Sequence, residues 1–266
     1  MSALKPFRHI HDANPLPFDL YLPAGNGAFP LICITPLLGR LVLFEDLCLE
    51  RCLARFFAKE GLAAAVMARP IFEFNPGRGL GQLQEYLDES VARNRSILNR
   101  LAENEAIDAQ NIGTLGISFG AVVNTLWASS DPRLKAHILA LGGGHLADIF
   151  VTSKDPLMRS YLKAALESER CSAGELRTRL ERIFTSDPLK SAAGLSGKDI
   201  LLVLALFDRV IRFRNGLSLR RTLRNPRTFF LPLGHYTSIL GAPLLRWEML
   251  RFFREKLKSS GRKNKD

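Results

Sequence analysis

Apolar residues in this chain fall into short continuous runs, separated by longer stretches in which they recur every three or four positions. The two patterns carry different meanings. A continuous run of about four to eight apolar residues, bounded by turn formers, suits a strand covered on both faces. Recurrence at three and four residues suits a helix with one face in the core. The continuous runs are Pro30-Leu-Ile-Cys-Ile-Thr35, Leu62-Ala-Ala-Ala-Val-Met67, Ile112-Gly-Thr-Leu-Gly-Ile117, Leu134 to Leu141, Asp199 to Phe207 and Arg227 to Leu231. Phe18-Asp-Leu-Tyr-Leu22 alternates instead, and predicts a half-exposed strand ahead of them.

Helical spacing fills the gaps. Leu47, Cys48, Leu49, Cys52, Leu53 and Phe56 make a stripe over residues 44–60, which Gly61 ends. After a Pro- and Gly-rich loop over 70–81, Leu83, Leu87, Val91, Leu98 and Leu101 mark a long amphipathic helix. The last helix, about 243–258, puts Leu245, Met249, Phe252 and Phe253 on one face and Arg251, Arg254 and Lys258 on the other. The pattern changes over 150–196. Asp155-Pro156 and Asp187-Pro188 read as N-caps followed by first-turn prolines, and Ser172-x-x-Glu175 as a capping box. This is a helical insertion, too short for a separate domain.

Strands alternating with helices predict an α/β protein with a mostly parallel sheet and helices on both faces. A single domain is expected over 1–258, with the insertion as a helical cap and 259–266 as a basic, disordered tail. In such sheets the reactive groups gather at the carboxyl ends of the strands.

Composition narrows the function classes. A chain of 266 residues can bury one sizeable core, and no apolar run is long enough to span a bilayer. No basic-then-apolar leader opens it, so its four cysteines read as reduced thiols and the cytoplasm is the expected location. Cys48 and Cys52 lie on one helical face, but no further His or Cys pair is near enough in sequence to complete a metal site. No metal or cofactor is expected. The net charge of +11 is uneven: from Ala205 onward there are 15 Lys and Arg against 4 Asp and Glu, while the first 204 residues balance at 22 each. A neutral body with a basic C-terminal quarter, and no nucleic-acid signature, argues against a nucleic-acid partner and leaves contact with an anionic surface open.

The candidate chemistry centres on Gly116-Ile-Ser118-Phe-Gly120, which ends one apolar run and opens a helix-compatible segment, Ala121 to Trp127. A serine between glycines at −2 and +2, on a sharp strand-to-helix turn, presents its hydroxyl clear of both elements. Such a serine needs a general base, and the base needs an orienting acid. His9 and His11 lie near the N-terminus and His137 inside a strand. His235 follows the 227–231 run and leads into the last helix, while His145 follows three glycines after the 134–141 run. Asp208 follows the strand ending at Phe207, and Asp148 is the competing acid. His235 and Asp208 are the preferred base and acid, with His145 retained as a site-lining candidate. Tyr236 and Leu38 are further lining candidates.

With these residues in the order Ser118, Asp208, His235, the chain resembles the α/β-hydrolases, and among them the dienelactone-hydrolase and acyl-peptidase-like branches most. The likeness runs from about residue 18 to 257 and rests on the elbow, the Ile107 to Ile112 approach to it, Asp208-Arg-Val-Ile211 and Gly234-His235. It implies a serine hydrolase with an oxyanion hole made by the N–H groups of Phe119 and, from the Thr35 to Gly39 loop, Leu37. The chain departs from the family's pattern at Thr35-Pro36, where His-Gly is usual, and at Arg212, where many members have proline.

The resulting expectation is hydrolysis of a small-molecule carboxylic ester or thioester. Acyl transfer through the same three groups is one alternative. A non-catalytic protein that binds a partner or anionic surface through its basic quarter is another. Met158, Tyr161, Leu162 and Leu166, at helical spacing in the insertion, either line an acyl pocket or seal the insertion onto the core. Arg209, Arg212 and Arg214, beside Asp208, are read either as selectors of an acidic substrate or as solvated charges.

Overall fold

The computed structural model describes residues 7–13, 15–38 and 49–257. Eight strands form one sheet in the order β1-β2-β4-β3-β5-β6-β7-β8. They are β1 (Phe7–Asp12), β2 (Phe18–Pro23), β3 (Phe29–Thr35), β4 (Ala63–Met67), β5 (Ile107–Ile117), β6 (Leu134–Ala140), β7 (Asp199–Ala205) and β8 (Arg227–Leu231). β1, β2 and β4 pair antiparallel, and every pairing from β4 through β3 to β8 is parallel.

Alternation along each parallel strand sorts its side chains onto two helical layers. Ile32, Ile34, Leu201 and Val203 face α1 (Leu49–Lys59) and α9 (Ala242–Lys256), packing with Phe57, Met249 and Phe253. Leu31, Cys33, Ile200 and Leu202 face α2 (Gly81–Ala102) and α3 (Phe119–Ser130), packing with Ile97, Leu98 and Trp127. A third apolar cluster joins α2 and α3 to helices between β6 and β7, namely α4 (Leu146–Thr152), α5 (Pro156–Glu169) and α6 (Ala173–Ile183); the short α7 (Pro188–Ser191) follows them. Their predicted caps are present. Asp155 accepts from the N–H of Met158, Asp187 from that of Leu189, and Ser172 and Glu175 close a capping box.

The structure differs from the sequence reading in four places. β1 is an edge strand that no apolar run announces, because its residues are exposed or half-buried and its polar face is what it docks. His9 and His11 lie 3.0 and 2.9 Å from the same oxygen of Asp19, on β2. That layer, with Arg51 from α1, leaves β2 fully buried where half-exposure was expected. Helix α8 (Phe213–Thr222) follows Asp208 unpredicted, and the helical insertion opens at Leu146, earlier than 150. Leu47, Cys48 and the tail 259–266 lie outside the described residues. Among the described residues, no helix is long and apolar enough to cross a membrane, and no group of three His, Cys, Asp or Glu could hold a metal ion.

Candidate active site

β5 delivers Ser118 at its carboxyl end, in a turn that only this sequence permits. Ser118 takes φ 58°, a left-handed value that costs a non-glycine residue about 1 kcal/mol or more. A side chain at position 116 would place its Cβ 2.2 Å from the carbonyl oxygen of Gly120, and one at 120 would lie 2.3 Å from that of Thr35. Both glycines are therefore steric requirements of the bend. The N–H of Ser118 donates to the carbonyl of Ala140 at 2.8 Å, fastening the turn to the end of β6.

Asp208 follows β7 and is held as well as buried. Its Oδ1 accepts from the N–H groups of Val210 and Ile211 at 2.8 and 3.0 Å, which frees Oδ2 for a partner. The partner is His235, on the loop after β8, whose Nδ1 is 2.7 Å away. The loops bearing Asp208 and His235 are bound together where Phe207 N–H donates to the carbonyl of Leu233 at 3.0 Å. A carboxylate only accepts, so Nδ1 carries the proton and Nε2 is left as an acceptor. Ser118 Oγ lies 2.9 Å from that Nε2. Three residues from three strand ends thus form one continuous chain of hydrogen bonds.

The remaining candidates divide. Leu37, Leu38, Phe119 and Tyr236 line a cavity of about 350 Å³ that also contains Ser118 and His235. His145 does not: it is exposed, caps α4 in a left-handed conformation, and its N–H turns towards Asp187. Asp148 is also committed elsewhere, to Arg214 at 2.8 Å, Arg177 at 3.2 Å and Asn215 at 3.0 Å. Burial alone would raise its carboxyl, but hydrogen bonds from Asn215 and Arg214 outweigh that and hold it below the usual range. Arg214 is accordingly a structural partner of Asp148. Met158 and Tyr161 line the cavity, whereas Leu162 and Leu166 only pack against the third cluster.

The wall is predominantly apolar and comes from two sources. Leu53, Leu231, Leu245 and Met249 belong to the α1–α9 side of the core, and Leu83, Leu87, Val122 and Phe150 to the cap side. Tyr86 stacks on Phe119 with ring centroids 5.2 Å apart, and burial pushes its phenol up to about 12. The phenol of Tyr236 donates to Asp155 at the start of α5, joining the His235 loop to the cap. Burial and that carboxylate together raise it well above the ordinary range.

Around the oxyanion position the two expected donors differ. The N–H of Phe119 belongs to the first turn of α3, where helix donors have no partner within the helix. The N–H of Leu37 instead donates to the buried carboxylate of Glu50 at 3.2 Å, while Arg69 holds the Leu37 carbonyl. Sequence reasoning missed Glu50 and Arg69, and read Asp155 only as a helix cap. It also missed a buried trio behind the loop: Asn94 Nδ2 donates to Thr35 Oγ1 at 2.9 Å, and Thr35 Oγ1 donates to Asn124 Oδ1 at 2.5 Å. The available signal was a polar residue inside an apolar stretch, as Asn124 is between Ala121 and Trp127.

No protein-family model and no curated protein sequence matches the chain. Solved structures do. Acylaminoacyl peptidase from Pyrococcus horikoshii superposes with a TM-score of 0.69 at 18% identity, over 99% of this chain and 44% of that one. Acetyl xylan esterase from a Paenibacillus species gives 0.68 at 15%, over 94% and 88%. A Klebsiella pneumoniae protein described as a dienelactone hydrolase gives 0.63 at 16%, over 94% and 99%. These are α/β-hydrolase superfamily proteins. The order of strands and the strand-end elbow make this chain's fold the α/β-hydrolase fold, and the matched structures are those of hydrolases and esterases.

Proposed function

We propose that the protein is a serine hydrolase acting on a carboxylic ester or thioester with an apolar acyl group. The observation that carries this reading is the unbroken run of hydrogen bonds Asp208–His235–Ser118, opening into an apolar cavity. In the proposed reaction Ser118 Oγ attacks the acyl carbon as its proton passes to His235 Nε2. Asp208 keeps the imidazole in the required tautomer and stabilises its cation. The oxyanion takes a hydrogen bond from Phe119 N–H, with Leu37 as second donor once it leaves Glu50. His235 then protonates the departing alcohol or thiol. Water, deprotonated by the same nitrogen, attacks the acyl-enzyme and releases the acid.

The test is labelling with a fluorophosphonate probe and mapping of the modified peptide. Label on Ser118 that disappears in Ser118→Ala and His235→Ala is expected. A folded protein that takes no label would overturn the proposal in favour of a binding role. A panel of p-nitrophenyl esters of increasing chain length, with and without an added alcohol, then defines the acyl group and separates hydrolysis from acyl transfer.

A further inference from the structure

Helix α9 and the turn before it have two apolar faces. Ala242, Leu245 and Met249 recur at helical spacing and form part of the cavity wall. Leu240, Leu244 and Trp247 recur at i, i+4 and i+7 and point the other way, 73%, 64% and 49% exposed. Burying an apolar side chain is favourable, and soluble proteins seldom leave two leucines and a tryptophan together on one exposed stripe. The stripe is one helix thickness from the cavity that holds Ser118.

Beside it stands one unpaired cation. Arg246, between Leu244 and Trp247 in sequence, has no carboxylate partner among the described residues. Its guanidinium lies 5.2 Å from the ring of Phe56 on α1 and 5.7 Å from that of Trp247. Trp247 in turn meets Phe56 edge-on at 5.1 Å. The other cations of α9 are ion-paired, Arg251 with Glu248 and Glu255, Arg254 with Glu60 and Lys256 with Asp199, so among the described residues Arg246 is the cation this helix leaves for an anionic partner. Exposed leucines, a tryptophan and an unpaired arginine on one surface are the combination that rests in the headgroup layer of a bilayer. A second copy of this chain is a poorer fit, because a two-fold contact through the same face would oppose the unpaired Arg246 to its counterpart.

We infer that the outer face of α9 and the turn before it (Leu240, Leu244 and Trp247, with the exposed Arg246 beside them at the cavity rim) docks on a membrane surface rich in anionic phospholipid. The cavity behind the helix then stands next to a reservoir of apolar esters, a consequence that rests on the proposed hydrolase reading. Docking itself does not, since it needs no turnover.

The test uses the full chain with vesicles of phosphatidylcholine, with and without phosphatidylglycerol. The chain has two tryptophans, and Trp127 is fully buried, so a lipid-induced change in emission reports on Trp247. Co-flotation with the anionic vesicles and a blue shift of the emission are expected, both weakening as salt is raised. Trp247→Phe abolishes the shift. Leu240→Ser and Leu244→Ser each weaken flotation about tenfold or more, while turnover of a soluble short-chain ester is unchanged. Arg246→Gln lowers the preference for anionic vesicles. Absence of both flotation and shift in the wild-type protein would overturn the inference. So would wild-type flotation of the double serine variant, or a shift that follows protein concentration without lipid and coincides with dimers in sedimentation. Fluorophosphonate labelling of Ser118 in the same samples reports separately on the hydrolase reading.

Discussion

The hydroxyl of Thr35 donates to the side-chain carbonyl of Asn124 at 2.5 Å, tying the last residue of β3 to the helix that begins one residue after Ser118. Leu37 lies two residues from that bond, so Thr35 sets the height of its loop over Ser118. Thr35→Val keeps the shape and deletes the hydroxyl, leaving Asn94 and Asn124 each short of a partner. Stability in urea should fall by about 1–3 kcal/mol. Ester turnover should show a lowered kcat with KM nearly unchanged, and a wild-type kcat would reduce the trio to packing.

Glu50 concerns the same loop from the other side. Its carboxylate accepts from Leu37 N–H, where a negative charge opposes an oxyanion developing nearby. Glu50→Gln preserves an acceptor and removes the charge. We expect kcat to rise several-fold, on the order of 1 kcal/mol at an effective dielectric of ~20, with some loss of stability. An unchanged or lower kcat in steady-state assays would show that Leu37 does not serve the oxyanion.

Tyr236 and Asp155 can be separated. Asp155 caps α5 through Met158 N–H at 2.8 Å and also receives the Tyr236 phenol. Asp155→Ala removes both interactions and should cost about 1 kcal/mol in thermal unfolding. Tyr236→Phe removes only the bridge between the His235 loop and the cap. It should leave the melting temperature nearly unchanged and raise KM for long acyl esters more than for acetate.

His137 should give the fold an acid-sensitive limb. The residue is fully buried on β6, with Thr114 Oγ1 3.0 Å from its Nδ1 and no partner for Nε2 among the described residues. Burial and the nearby Lys198 push its pKa down to about 3. The unfolded value, about 6.5, is higher, so the unfolded chain binds the proton first as pH falls. Stability is therefore intact above about pH 6.5 and declines towards pH 3 by about 1.4 kcal/mol per unit. In urea titrations at pH 7 and 5, His137→Leu should flatten that decline.

What could be read from sequence followed burial. The parallel strands are covered on both faces, so their apolar runs announced them, and the strand-end positions of Ser118, Asp208 and His235 followed from the order of those runs. β1 could not be read that way, because it docks through His9, His11 and the buried carboxylate of Asp19. His145 was misassigned because a histidine after a strand end looks alike whether it faces the cavity or caps a helix. Here Asp187, 42 residues away, turns its backbone outward. The grip of Glu50 on Leu37 joins two segments whose spacing carries no periodic signal.

The positive φ of Ser118 sets this side chain against the fold that carries it. Glycine would relax that backbone without disturbing any neighbour, since it adds no atom to a crowded turn. Selection for stability alone therefore favours an inert protein at this position, and the strain survives only where the hydroxyl is used. A serine kept at this angle is what the proposed use of its hydroxyl would leave behind, legible in one dihedral.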